Sequence, residues 1–98
     1  MATPAAPDDI AVSHNESEQR FEAMVDGQLA VCEYQLEGDQ MVFTHTFVPS
    51  QLRGRGVAQK LVDVALKHAM AEKRRVVPSC SYVAAFIARR PEYRGLLG

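Results

Sequence analysis

A chain of 98 residues with an apolar fraction of 47% makes one domain with a small core, because a chain this short buries a smaller share of its surface than a large enzyme does. Its 11 basic residues face 12 acidic ones, a net charge of −1, so no global field draws it to nucleic acid or to an anionic membrane, and any anion site must be local. The two cysteines, Cys32 and Cys80, build no disulfide framework. No paired Cys/His spacing points to zinc, and no metal is expected.

Residues 1–9, Met-Ala-Thr-Pro-Ala-Ala-Pro-Asp-Asp, read as a flexible leader. They lack the basic start and apolar run of a signal peptide, and nothing downstream is long enough to span a bilayer, so a cytoplasmic location is expected. Residues 10–98 are expected to form the domain. Arg20 to Val25 alternates on Phe21, Ala23 and Val25 and then meets Asp26-Gly27, a hairpin signal. Leu29 to Leu36 returns as a second strand with Ala30, Cys32, Tyr34 and Leu36 on one face, which makes Cys32 a core residue. Glu37-Gly38-Asp39 turns the chain into a third strand, Met41 to Val48. Strict alternation there puts Met41, Phe43, His45 and Phe47 on one face, so His45 keeps apolar company.

Pro49 ends that strand. A run of glycine and arginine follows, Gln51-Leu-Arg53-Gly54-Arg55-Gly56-Val57-Ala58, and opens a helix over Val57 to Met70 with apolar residues at helical spacing. Glycines at a helix entrance let backbone approach a ligand closely. The free amides of the first turn suit phosphate oxygens, and Arg53 and Arg55 add charged donors. Arg75 to Pro78 is a short strand that should run parallel to Met41–Val48, since it returns through a helix. A second helix runs from Ser81 or Tyr82 to Arg90, where Pro91 stops it. The fold class is α/β in the α+β sense: an antiparallel meander, a crossover helix, a parallel last strand and a short C-terminal helix.

The cradle is neither G-x-G-x-x-G nor G-K-[ST]. Gln51-x-x-Gly54-x-Gly56, overlapped by Arg53-x-x-Gly56-x-Ala58, resembles in either register the [Q/R]-x-x-G-x-[G/A] loop of the GNAT acetyltransferases. His45-Thr-Phe-Val-Pro before the loop, Pro78-Ser-Cys-Ser-Tyr-Val after the helix and Arg90-Pro-Glu-Tyr-Arg near the end are similar to the small, single-domain branch of that family. The resemblance implies a shortened GNAT fold. It implies acetyl-CoA as cosubstrate, with the pyrophosphate on the loop formed by Gln51, Arg53, Gly54, Arg55, Gly56, Val57 and Ala58. The strands on either side of the helix would splay apart and take the pantetheine arm against the backbone of Phe47 and Val48.

Cys80 falls where the last strand meets a helix, a position that lowers a thiol's pKa. Two roles are open to it: accepting the acetyl group as a thiolate, or protonating the departing CoA sulfur. The plainer reading is a small buried hydrophobe. His45 is the candidate base, beside the alternative of a satisfied core histidine. His14 and His68 have no comparable setting. Tyr82 and Tyr93 are phenols near the expected site, but the asparagine-to-tyrosine spacing that many GNAT enzymes carry on the last helix is absent, which favours Cys80. The expected activity is transfer of an acetyl group to a small amine or to a protein's amino group, with a non-catalytic CoA-binding module as the alternative. Nucleic-acid binding through Arg-Gly-Arg-Gly has no aromatic RNA-binding motif beside it.

Overall fold

A computed structural model describes residues 10–97; the leader expected over residues 1–9 lies outside them. Five strands form one sheet in the order β1-β2-β3-β4-β5. They are β1 (Ser13–Asn15), β2 (Arg20–Val25), β3 (Gln28–Glu37), β4 (Gln40–Phe47) and β5 (Arg75–Pro78). The first four are antiparallel neighbours, and β5 runs parallel to β4. The β2–β3 turn holds Asp26 at φ 51° and Gly27 at φ 74°. That left-handed pair matches the twist of the flanking strands and sets Val25 opposite Gln28.

Two helices, α1 (Val57–Ala71) and α2 (Ser81–Ala88), share one core with the inward side of the sheet. In α1 the residues Leu61, Val62, Ala65, Leu66 and Ala69 recur every three or four positions and are fully buried, the pattern of a helix laid on a sheet. Its C-terminus closes through a left-handed residue. Lys73 stands at φ 56°, with Lys73 N–H bonded to Met70 O (3.1 Å) and Arg74 N–H to Ala69 O (2.9 Å), a Schellman closure. Val83, Phe86 and Ile87 of α2 and Tyr93 of the following short 3-10 turn (Pro91–Leu96) complete the core. Leu97 then pairs with Val76 along the free edge of β5.

The structure departs from the sequence reading in two places. Strand β1 was not expected; it carries His14 onto Phe21. More consequential is the break in alternation in β4. The register steps from Glu33↔His45 to Tyr34↔Phe43, so Thr44 is an extra residue, a bulge that flips every side chain beyond it. Met41 and Phe43 face the core as expected, but Thr46 and Val48 follow them inward, while His45 and Phe47 are exposed. On the outward face Val31 lies opposite Phe47 and Leu29 opposite Met24. Met24 and Phe47 are large exposed apolar groups, and no helix among the described residues covers them.

Candidate active site

β4 and β5 pair only as far as Phe43↔Pro78. Pro78 has no N–H to extend the ladder, and the Cys80 N–H closes onto Phe43 O at 2.8 Å before the chain turns into α2. From Thr44 to Phe47 the β4 edge has no strand beside it on that side, among the described residues. The two strands therefore diverge into a V, with the start of α1 on one side and the start of α2 on the other.

A cavity of about 570 Å³ fills that V. Of the residues singled out from sequence, His45 and Phe47 line it from β4, Val48 from just beyond that strand, and Arg53, Gly54, Gly56, Val57 and Ala58 from the loop and helix start. Gly54 and Gly56 both stand at positive φ, 79° and 80°, where a Cβ is strained. The amides of the α1 first turn have no side-chain cap and no acidic neighbour, so their partial positive charge is uncompensated by the protein. Leu52, 1% exposed, anchors the loop into the core through the 3-10 turn Ser50–Leu52.

Gln51 and Arg55 do not line the cavity. Arg55 Nη1 donates to Asp26 Oδ2 at 2.7 Å, tying the glycine loop to the β2–β3 hairpin. Arg53 is exposed at the rim, so of the two arginines it alone faces the cavity. Beyond Arg53, Gln59 and Tyr82 complete the lining.

Cys80 sits one contact behind the wall, its Sγ 3.5 Å from the hydroxyl of Thr46, which does line the cavity. Burial pushes the thiol up. The Thr46 hydroxyl and the backbone amides of Val83, Tyr82 and Thr46 act against burial and together hold it below its ordinary value, although no cap hydrogen bond closes onto the sulfur. Those amides are free to face the sulfur, with no backbone partner among the described residues, because Cys80 is the N-cap of α2 and Thr46 lies on the open edge of β4. Thr46 Oγ1 also donates to Cys32 Sγ at 3.8 Å. Cys32 is fully buried, and burial pushes its thiol up to about 12.

His45 and Cys80 are not brought together. The bulge at Thr44 turns His45 to the outward face, opposite Glu33 on β3, and puts Thr46 where His45 was expected. Nothing in residue type marks the bulge, since Thr44-His45-Thr46 is polar throughout and alternation offers only one register. Tyr93 also lies elsewhere: its O–H donates to Asp63 on α1 and its ring packs on Phe86. Burial and the Asp63 carboxylate push that phenol far up. Tyr82 borders the cavity; burial raises its phenol, and Arg89 and Arg90 offset this in part. Among the described residues no group of three His, Cys, Asp or Glu side chains is placed to hold a metal ion, and no helix is long and apolar enough to cross a membrane.

The model of the GCN5-related N-acetyltransferase family matches residues 20–96. The chain belongs to this family. It is similar to the protein NATD1 of Bos taurus, 33% identical over 96 residues, covering 92% of this chain and 85% of that one. Against NATD1 of Homo sapiens it is 31% identical over 85 residues, covering 84% and 75%. In structure it is similar to a GCN5-like protein of Staphylococcus aureus at a TM-score of 0.72, with 23% identity over 90% of this chain and 87% of that one; that likeness shows the α+β fold. Members of the GCN5-related family generally use acetyl-CoA.

Proposed function

We propose that the protein transfers an acetyl group from acetyl-CoA to an amine, either a small amine or an exposed amino group of a protein, by way of Cys80. The observation that carries this is the Cys80 thiol, held below its ordinary pKa directly behind the cavity that the loop and the open β4 edge enclose. The pyrophosphate would rest on the amides from Gly54 to Ala58 with Arg53 over it, and the pantetheine arm would lie along Phe47 and Val48. Gln51 and Arg55 would shape the loop from outside the cavity.

The Cys80 thiolate attacks the acetyl carbonyl carbon, a new carbon–sulfur bond forms, and the bond to the CoA sulfur breaks. The electron pair leaves on that sulfur, which takes a proton from water. A neutral amine then attacks the Cys80 thioester, the Cys80 sulfur leaves with its electron pair, and the amine's surplus proton passes to His45 or to solvent. His45 faces outward beside the exposed Phe47, on the side from which an amine would reach the cleft.

A second reading is supported by the outward turn of His45 beyond the β4 bulge and by the engagement of Tyr93 with Asp63. With neither beside the sulfur, an acetyl group could stay on Cys80, and the domain would bind acyl-CoA without turnover. Steady-state release of CoA from acetyl-CoA, with and without a panel of amines, separates the two. The transfer reading predicts release that rises with amine and vanishes in Cys80→Ala; release unaffected by every amine contradicts it.

A further inference from the structure

We infer that the Thr46 hydroxyl is the positioning group for Cys80, turning its single proton from the Cys32 sulfur to the Cys80 sulfur when Cys80 ionises. The inference rests on the acyl-cysteine reading for its functional meaning, but its geometry stands apart from it. Thr46 Oγ1 lies between two sulfurs, donating to Cys32 at 3.8 Å and 3.5 Å from Cys80. A hydroxyl has one proton to give and lone pairs to accept with. While Cys80 is a thiol, its S–H can donate to Oγ1 and the hydroxyl proton can stay on Cys32.

Once Cys80 loses its proton to solvent, its sulfur is an anion with nothing to donate, and a charge-assisted hydrogen bond outcompetes a neutral one. The Thr46 O–H then points at Cys80. Cys32 cannot compete as an anion, because its burial keeps it protonated. No other side chain hydrogen-bonds to the Cys80 sulfur among the described residues, and His45 is on the far face of β4. The Thr46 O–H bond is never broken. When Cys80 takes the acetyl group from acetyl-CoA, the CoA carbon–sulfur bond breaks and the CoA sulfur carries off the electron pair. The Cys80 sulfur becomes a neutral thioester, a poor acceptor, and the hydroxyl returns to Cys32.

The β4 bulge is what makes this arrangement. Without the extra residue at Thr44, Thr46 would face outward and His45 inward. A strand with one bulge thus sets a neutral hydroxyl, rather than a titrating imidazole, against the thiol. Reactivity of Cys80 should then follow one ionisation, its own, across the range where a histidine would add a second.

The test is the pH profile of Cys80 alkylation by iodoacetamide, read on the Cys80 peptide by mass spectrometry in wild type, Thr46→Val and Thr46→Ser. Thr46→Val should move the midpoint up by about one unit, slowing alkylation at pH 7 about tenfold, while Thr46→Ser should keep the wild-type midpoint. A Thr46→Val profile that overlays wild type overturns the assignment. Should Thr46→Val not fold, the unaltered protein decides: the Thr46 β-carbon resonance should titrate with that of Cys80, and a silent Thr46 overturns the inference. Parallel incubation with acetyl-CoA keeps the two readings apart. A shifted profile with no acetylation of Cys80 sustains the role of Thr46 and overturns the acyl-cysteine reading. An unshifted profile with acetylation does the reverse.

Discussion

Arg55 gives its guanidinium to Asp26, whereas Arg53, two residues earlier, is exposed at the cavity rim with no such partner among the described residues. Arg53→Ala should therefore weaken CoA binding by about 1.5–3 kcal/mol, the worth of a charged hydrogen bond, measured by calorimetry. Arg55→Ala should cost about 0.2–1 kcal/mol of folding stability, because its partner is largely exposed to solvent, and should alter binding less than Arg53→Ala does. Equal losses of affinity from the two would contradict the division between them. Sequence alone gave no way to tell the arginines apart, since the hairpin residue that captures Arg55 is 29 positions away. The glycines were legible for a local reason: positive φ at Gly54 and Gly56 is a requirement that residue type alone meets.

The turn that closes helix α1 holds a lysine, Lys73, in a left-handed conformation that glycine adopts freely. Lys73→Gly should stabilise the fold by about 1 kcal/mol by relieving that strain, seen as a higher urea midpoint at unchanged slope. Strand β1 carries a pH dependence of its own. His14 stacks on Phe21 (centroids 4.1 Å apart), meets His68 edge-on (4.5 Å), and has its Nε2 2.5 Å from the Tyr34 hydroxyl. Burial and then His68 hold its pKa below the ordinary 6.5, against Glu16 and Glu72. Above pH 6.5 the folded and unfolded chains both carry it neutral. As pH falls through 6.5 the unfolded chain takes the proton first, so stability drops until the folded His14 protonates as well. Urea unfolding at pH 7.5 and 5.5 should show this loss in wild type and a smaller one in His14→Phe; equal losses would contradict it.

Four of the five strands, both helices and their order were legible because local pattern marks them: alternation in β2 and β3, three-and-four spacing in α1, Pro49 and Pro91 as stops. What was not legible lacks a period. A strand of three residues, Ser13–Asn15, is too short to alternate, and the bulge at Thr44 leaves the residue pattern looking regular while reversing its meaning. For that reason the cavity's loop wall could be read from sequence, but the neighbour of Cys80 could not.

On the scale of the whole molecule, 98 residues supply a sheet with helices on one face and an outward face where Met24 and Phe47 stand exposed. The proposed chemistry is concentrated at one place, where β4 and β5 part and the α2 N-terminus begins, with the glycine loop lining the cavity and the Cys80 sulfur one contact behind its wall. On the proposed route the acetyl group passes through that sulfur. The most direct measurement is mass spectrometry of the protein after brief exposure to acetyl-CoA, followed by removal of the cosubstrate and addition of an amine. One acetyl group is expected on the Cys80 peptide and none on Cys32, with its loss matched by the appearance of acetylated amine. A Cys80→Ala protein that acetylates amines at the wild-type rate would contradict it.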